Sequence, residues 1–227
     1  MTRRLALDTA KYRRYLNANG MAGRLSRLER VGRNRDEVLA AARRVFLERG
    51  YAGASLDTIA DEAGFSKGVV YSQFRSKGDL FIALLEQRIA ERAAQNEAIT
   101  RRARGLDGIR ALLRAGRQDG DAEPRWGLLL VEFRVHAARE PALNRRYAEA
   151  HRRAIDGIAA LLARFHHEAA ITPTADVRQL ATLILAWHPG ALLERAVDPR
   201  GLTQAVVDRA IFRLLGLPDG DGAKETS

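Results

Sequence analysis

Two sets of side chains in this sequence have types and spacing that could do chemistry. His151, His166 and His167, the last followed by Glu168, are the residue types of metal sites and general bases. Their spacing argues against both roles. Adjacent residues on a helix point about 100° apart, whereas a helical zinc pair sets its histidines four residues apart. They are read as surface or interface residues. The chain has no cysteine, which removes thiolate ligands, disulfides and a cysteine nucleophile. No Ser/His/Asp pattern or glycine-rich phosphate loop stands out, so neither an enzyme, a cofactor nor a metal is expected. The second set is Lys67, Gly68, Val69, Tyr71, Ser72 and Gln73. On a short helix whose Val70 and Phe74 face a core, these six face outward. Donors, acceptors and small groups in that arrangement suit the base edges of the DNA major groove, whose ~12 Å width admits a helix.

Such a helix reads DNA only if a second helix holds it. The segment SLDTIADEAGFSKGVVYSQF, Ser55 to Phe74, supplies that pair: apolar positions on two short helices around the turn Gly64-Phe65-Ser66, a helix-turn-helix pattern. Ser55 is a good N-cap, and Leu56, Ile59, Ala60 and Ala63 form the buried stripe of the first helix of the pair. Before it, a helix at about 35–49 carries the stripe Val38, Leu39, Ala42, Val45 and Phe46, with Gly50 placed to end it. After it, Ser76 caps a helix at about 77–102. Beyond Gly105 longer amphipathic helices are expected at about 106–118, 124–139, 141–169, 174–197 and 203–215, several opening on a proline. Alternating strand patterns are nearly absent. The expected fold is all-α, about nine helices, with a three-helix helix-turn-helix domain at the N-terminus and a helical bundle after it.

The stretch from Arg35 to Glu86 resembles the N-terminal domain of TetR/AcrR-type transcriptional regulators along its whole length. The matching features are F-x-x-x-G-Y at Phe46, Gly50 and Tyr51, IA-x-x-A-G at Ile59 to Gly64, S-K-G-x-x-Y-x-x-F at Ser66 to Phe74, and S-K-x-D-L at Ser76 to Leu80. The resemblance implies a homodimeric repressor or activator that binds a palindromic double-stranded DNA operator and senses a small molecule through its C-terminal helices. It makes the six outward residues the recognition-helix contacts. Ser55, Thr58 and Lys77, near helix N-termini, become phosphate contacts, a chemistry that helix N-termini favour in any family. This sequence departs from the family at Val69, where a small polar residue is common, and at Ser72-Gln73, where an aromatic and a histidine are common. Gln73 can pair with adenine and Val69 can touch a thymine methyl, which suggests A·T pairs in the operator.

Charge placement fits a polyanionic partner. Residues 1–35 hold ten Lys/Arg against Asp8 and Glu29, a net of +8, which leaves only +2 of the chain's +10 for everything after them. Nucleic acid, an anionic membrane surface or plain solvation would each explain a basic arm. Arg24, Arg27, Arg30 and Arg33 could enter a minor groove; Met21 offers an alternative start that would make the first twenty residues irrelevant. The longest apolar runs, at 126–131 and 180–187, fall short of the ~18 residues of a membrane span, and no export signal is read, so a cytoplasmic protein is expected. The domain reading is a basic arm at 1–34, open between order and disorder, a DNA-binding domain at 35–80, a ligand-binding and dimerisation domain at 81–217, and a disordered tail at 218–227.

Within the larger domain, Trp126, Phe133 and His136 share a helix face, and Tyr147, Phe165 and Trp187 come from helices expected nearby. They are candidates for a largely apolar ligand pocket, with ordinary core packing as the competing role. In the family the last two helices form the dimer interface, which nominates Leu183, Trp187, Ala191, Ile211 and Leu214. Pro189 is expected to kink its helix, either within that interface or at the pocket wall. The alternative function is an architectural, ligand-independent DNA-binding protein that works through the basic arm.

Overall fold

The computed structural model describes residues 21–118 and 122–217, so the expectations for residues 1–20 and for the tail lie outside it. The described residues form nine helices and no strand: α1 (Met21–Gly53), α2 (Leu56–Ala63), α3 (Lys67–Gln73), α4 (Lys77–Thr100), α5 (Gly105–Gln118), α6 (Ala122–Ala138), α7 (Pro141–Ala169), α8 (Val177–Val197) and α9 (Gln204–Leu214). The ends follow local chemistry. Ser55 accepts from the Thr58 N–H at 3.0 Å and Ser76 from the Asp79 N–H at 3.0 Å, each capping its helix. Asp176 accepts from the N–H groups of Arg178 and Gln179, so α8 starts at Val177 and not at Thr174. α8 continues through Pro189, which lies inside it.

The largest departure from the sequence reading is at the N-terminus. α1 is already helical at Met21, well before Arg35, so residues 21–34 of the supposed arm are helical. That stretch contains no proline and holds four Arg and two Leu, good helix formers. Gly50, at φ 70 and ψ 174, breaks the helical path. Only glycine visits that region at no steric cost, and a Cβ there would lie 2.8 Å from the Glu132 carboxylate.

Two apolar cores run through the molecule. The first joins the expected α1 stripe to Ile59 of α2, Val70 of α3 and Leu80, Phe81 and Leu84 of α4. It continues into α6 and α7 through Trp126, Leu129, Phe133, Leu143 and Tyr147, and so crosses the boundary expected at residue 80. The second joins Ile109 of α5, Leu162 and Phe165 of α7, Leu180 and Ala181 of α8, and Leu215 after α9. Burial on this scale is the main stabilising term.

Candidate nucleic-acid interface

α3 lies on the surface with only Val70 buried, and Phe74 closes it against the core under the guanidinium of Arg35 at 4.7 Å. The expected outward residues divide by exposure. Lys67, Gly68, Tyr71 and Ser72 are exposed, while Val69 and Gln73 are half-buried. Asp57 on α2, which sequence reasoning did not select, organises this face. It accepts from Lys67 Nζ at 2.6 Å and from the Tyr71 hydroxyl at 3.2 Å. The bond from Lys67 holds the Asp57 carboxyl below its usual range, and the same carboxylate raises both Lys67 and Tyr71. Read locally, Asp57 is only an acid in the first turn of a helix; its link to α3 appears once the two helices fold together. Ser72 Oγ donates to the Val69 carbonyl at 2.8 Å, and the Gln73 Oε1 is buried with no hydrogen-bond partner. Ser55 and Thr58 sit at the N-terminus of α2 with their hydroxyls 2.8 Å apart.

Lys77 does not fit its expected role. Its ammonium turns inward, donating to the carbonyls of Tyr51 at 2.7 Å and Ala54 at 2.9 Å and lying over the Tyr51 ring at 4.6 Å. Burial lowers its pKa. The carbonyls left open where α1 ends attract a cation, so the side chain closes the 50–54 turn and is not presented at the surface. The other side of that turn is held by Glu132 of α6, whose Oε2 accepts from the Tyr51 N–H at 2.7 Å. Gly50 leaves this N–H without a helical acceptor, and a carboxylate from another element supplies one. The turn that leads into Ser55 and the helix-turn-helix is therefore gripped by one cation from α4 and one anion from α6.

α6 also walls a cavity of about 670 Å³ lined mainly by α4, α5, α6, α7 and α8, within the usual range of small-molecule sites. Of the expected pocket residues, Trp126, Tyr147 and Phe165 line it. Phe133 does not: it is fully buried in the first core, stacked on Phe81 at 4.2 Å. His136 packs against the Tyr51 ring and pairs with Glu140 at 2.9 Å, and Trp187 is half-buried on α8 outside the lining. Sequence spacing placed Phe133 and His136 on one helix face with Trp126, but that face meets the first core over most of its length. A smaller pocket of about 280 Å³ lies between α1 and α4, and Trp126 and Arg88 line both spaces. Burial, with Arg134 nearby, lowers the pKa of His151 at the cavity wall.

The comparisons with known proteins agree with this architecture. Residues 38–84 match the bacterial regulatory proteins of the tetR family, and residues 103–216 match the C-terminal domain of BetI-type transcriptional repressors. The chain belongs to the TetR family of transcriptional regulators. The proteins whose models it matches are transcriptional regulators. The activator FasR of Mycolicibacterium smegmatis is 43% identical over 77 residues, 34% of this chain and 33% of FasR. The match thus spans about a third of that relative. Two solved structures share the fold. The fatty acid degradation regulator FadR of Bacillus halodurans has 19% identity and a TM-score of 0.64, covering 81% of this chain and 95% of that one. FadR of Bacillus subtilis, solved with stearoyl-CoA, has 17% identity and a TM-score of 0.54, covering 79% and 96%.

In this TetR-family chain the remaining candidate residues divide between core, cavity wall and surface. His166 is buried, not at the surface: its two ring nitrogens lie 2.8 Å from the carbonyl oxygens of Leu162 and Leu215, tying α7 to the end of α9. His167 is exposed, and no metal-binding cluster occurs among the described residues. Of the interface candidates, Leu183 is 49% exposed and Trp187 half-exposed. Ala191 is buried, Ile211 lines the cavity and Leu214 packs on the second core. The outer faces of α8 and α9 instead present Leu193, Val197 and Val206, which the sequence reading passed over. No described helix is long and apolar enough to cross a membrane.

Proposed function

We propose that the protein is a homodimeric, ligand-responsive regulator that places one α3 per protomer in successive major grooves of a palindromic operator, and that a small molecule in the cavity changes the spacing of the two helices. The observation that supports it most is Glu132. It sits on the helix that walls the cavity and grips the turn that precedes the helix-turn-helix. A ligand that moved α6 would move that turn, and it would shift affinity only as far as it preferred one arrangement. Tyr71 and Lys67, oriented by Asp57, meet the backbone or bases. The B. subtilis neighbour was solved with stearoyl-CoA and another, SmeT, with triclosan, which supports a small-molecule effector without naming it. The exposed apolar residues of α8 and α9, led by Leu183, Leu193 and Val197, are the proposed dimer surface. Release by inducer, and hence repression, is the proposed mode.

The basic segment acts differently from an extended arm. A helix about 10 Å across is too wide for a minor groove about 6 Å wide, so residues 21–34 would run along phosphates instead. Selection of sites from random DNA tests the whole reading. A two-fold motif with half-sites about one helical turn, or a multiple, apart is expected. A product showing only A·T or shape bias would support the architectural alternative instead.

A further inference from the structure

We infer that Asp57 is a specificity-determining residue of the DNA interface, which keeps Lys67 off phosphates and so reserves it for base edges. The inference rests on the reading of α3 as the helix that enters the major groove. Asp57 Oδ2 lies 2.6 Å from Lys67 Nζ, and its Oδ1 accepts from the Tyr71 hydroxyl at 3.2 Å. The pair is open to an incoming duplex, with the Lys67 side chain 59% and the Asp57 side chain 43% exposed. Both groups are charged at neutral pH, since the bond between them raises Lys67 and lowers Asp57. A phosphate that reached for Lys67 would therefore have to settle beside a carboxylate. Two like charges about 4 Å apart in a largely aqueous setting repel strongly enough to cut an affinity roughly fivefold. That cost does not depend on how tightly an exposed ion pair holds, because the carboxylate stays on α2 wherever the lysine swings. Base acceptors such as guanine O6 and N7 carry no such charge, and they can take the ammonium while Asp57 remains at its side. Tyr71, whose hydroxyl proton goes to Asp57, likewise has no proton left for a phosphate.

The charge of the surrounding segments fits that division. From Ser55 to Phe74, Lys67 stands against Asp57, Asp61 and Glu62, a net of −2. A helix-turn-helix that gripped any DNA by charge would carry the opposite sign. Asp61 adds to the negative field at Lys67, and Glu62 is met by Arg44 of α1 at 2.8 Å. Lys77, the next lysine along the chain, is turned inward to backbone carbonyls. Positive charge is concentrated before the motif, where residues 21–34 are helical and hold four Arg against Glu29. Attraction to any duplex and the reading of bases thus fall to different segments, and Asp57 keeps the two tasks apart.

The full chain and its Asp57→Asn and Asp57→Glu variants would each be titrated with two duplexes of equal length over a range of KCl concentrations. One duplex is selected from random DNA by the unaltered protein, and the other is of mixed sequence. Asp57→Asn should bind the mixed duplex about fivefold more tightly at low salt. Its salt slope should steepen by about 0.9 for each protomer bound, the mark of one added phosphate contact. Affinity for the selected duplex should rise less, so the ratio between the two falls. Adding Lys67→Met to Asp57→Asn should cancel both the gain and the extra slope. Asp57→Glu keeps the charge and should keep binding to the mixed duplex weak. A residue that only steadied α2 would lower both affinities together, so an Asp57→Asn variant whose mixed-duplex affinity stays level or falls would overturn the inference. A gain that survives Lys67→Met would overturn it too, because the lysine would not be what Asp57 withholds. Were Asp57→Glu to behave like Asp57→Asn, charge would not be the cause, and the inference would fail on that ground. If selection with the unaltered protein returned no preferred sequence, α3 would not read bases, and the inference would fall together with the reading beneath it.

Discussion

Around Phe81, the rings of Phe46, Tyr51, Trp126, Phe133 and Tyr147 form a connected cluster with centroid spacings from 4.2 to 5.9 Å. The second core, around Phe165, is mostly Leu, Ile and Ala and stands beside a cavity of about 670 Å³. Edge-to-face and stacked rings have few good alternative arrangements, whereas an aliphatic wall beside empty space has many. The region that aims α3 is thus packed for one geometry, and the region that would receive a ligand is packed to yield. Trp126 belongs to both, stacked on Phe81 at 5.9 Å and lining the cavity.

The comparison can be broken most directly by truncation. Phe81→Ala removes the centre of the cluster and should cost about 3–5 kcal/mol. Ile184→Ala should cost roughly 1 kcal/mol, because the atoms removed already face empty space on one side. Denaturant unfolding of both variants would show the contrast, and similar losses would show that the cavity is not a void in solution. Next in size is the joint between the two regions. Glu132→Ala leaves the Tyr51 N–H without its acceptor and should cost on the order of 1.5 kcal/mol, the low end for a bond to a charged group because the site is only part-buried. Amide exchange at Tyr51 should speed up, and Glu132→Gln should restore most of the protection. If exchange is unchanged in the alanine variant, the grip on the turn is not real.

A smaller effect, visible only in alkali, sharpens the same contrast. Burial, helped by the charge of Glu140, pushes the Tyr51 phenol up to about 12, and burial raises Tyr147 as well. Above pH 10 the unfolded chain releases protons that the native state keeps, so stability falls as pH rises from about 10 toward 12 and is intact below that window. Lys77, whose pKa is lowered, works in the opposite sense just below its ordinary value. Tyr51→Phe should therefore flatten the alkaline limb of a Tm–pH curve; an unaltered limb would mean that Tyr51 is wet. The least effect on stability is expected from Val197→Glu, since Val197 is 84% exposed. Sedimentation should nonetheless show a shift toward monomer, as a charge in an apolar interface loses its hydration without gaining a partner. Ile211→Glu should instead damage the fold, because Ile211 lines the cavity. A dimeric Val197→Glu variant would move the interface off this face.

Much of the helical framework was legible because its signals are local. Ser55, Gly64 and Ser76 cap where their side chains or backbones predict, and Gly50 stops the regular helix where expected. The repeat of Val38, Leu39, Ala42, Val45 and Phe46 correctly named the buried face of α1. α1 was read too short because its first turns carry charge that suggested an arm, although their helix propensity was adequate.

The sequence by itself determined most of the helices, the caps at Ser55 and Ser76 and the helix-turn-helix, since each depends on spacings of a few residues and on backbone preferences that act within a turn. Only the tertiary structure decided which partner each polar group took. Lys77 lies 26 residues from the Tyr51 carbonyl it binds, Glu132 lies 81 from the Tyr51 N–H, and His166 lies 49 from the Leu215 carbonyl. It also decided that Phe133 fills a core while Trp126 lines a cavity, although both lie on α6. Helical periodicity specifies a face to be buried, but not which neighbour covers it or how completely. Those outcomes depend on how side chains from distant segments fill a shared volume, and no spacing within one segment records that volume.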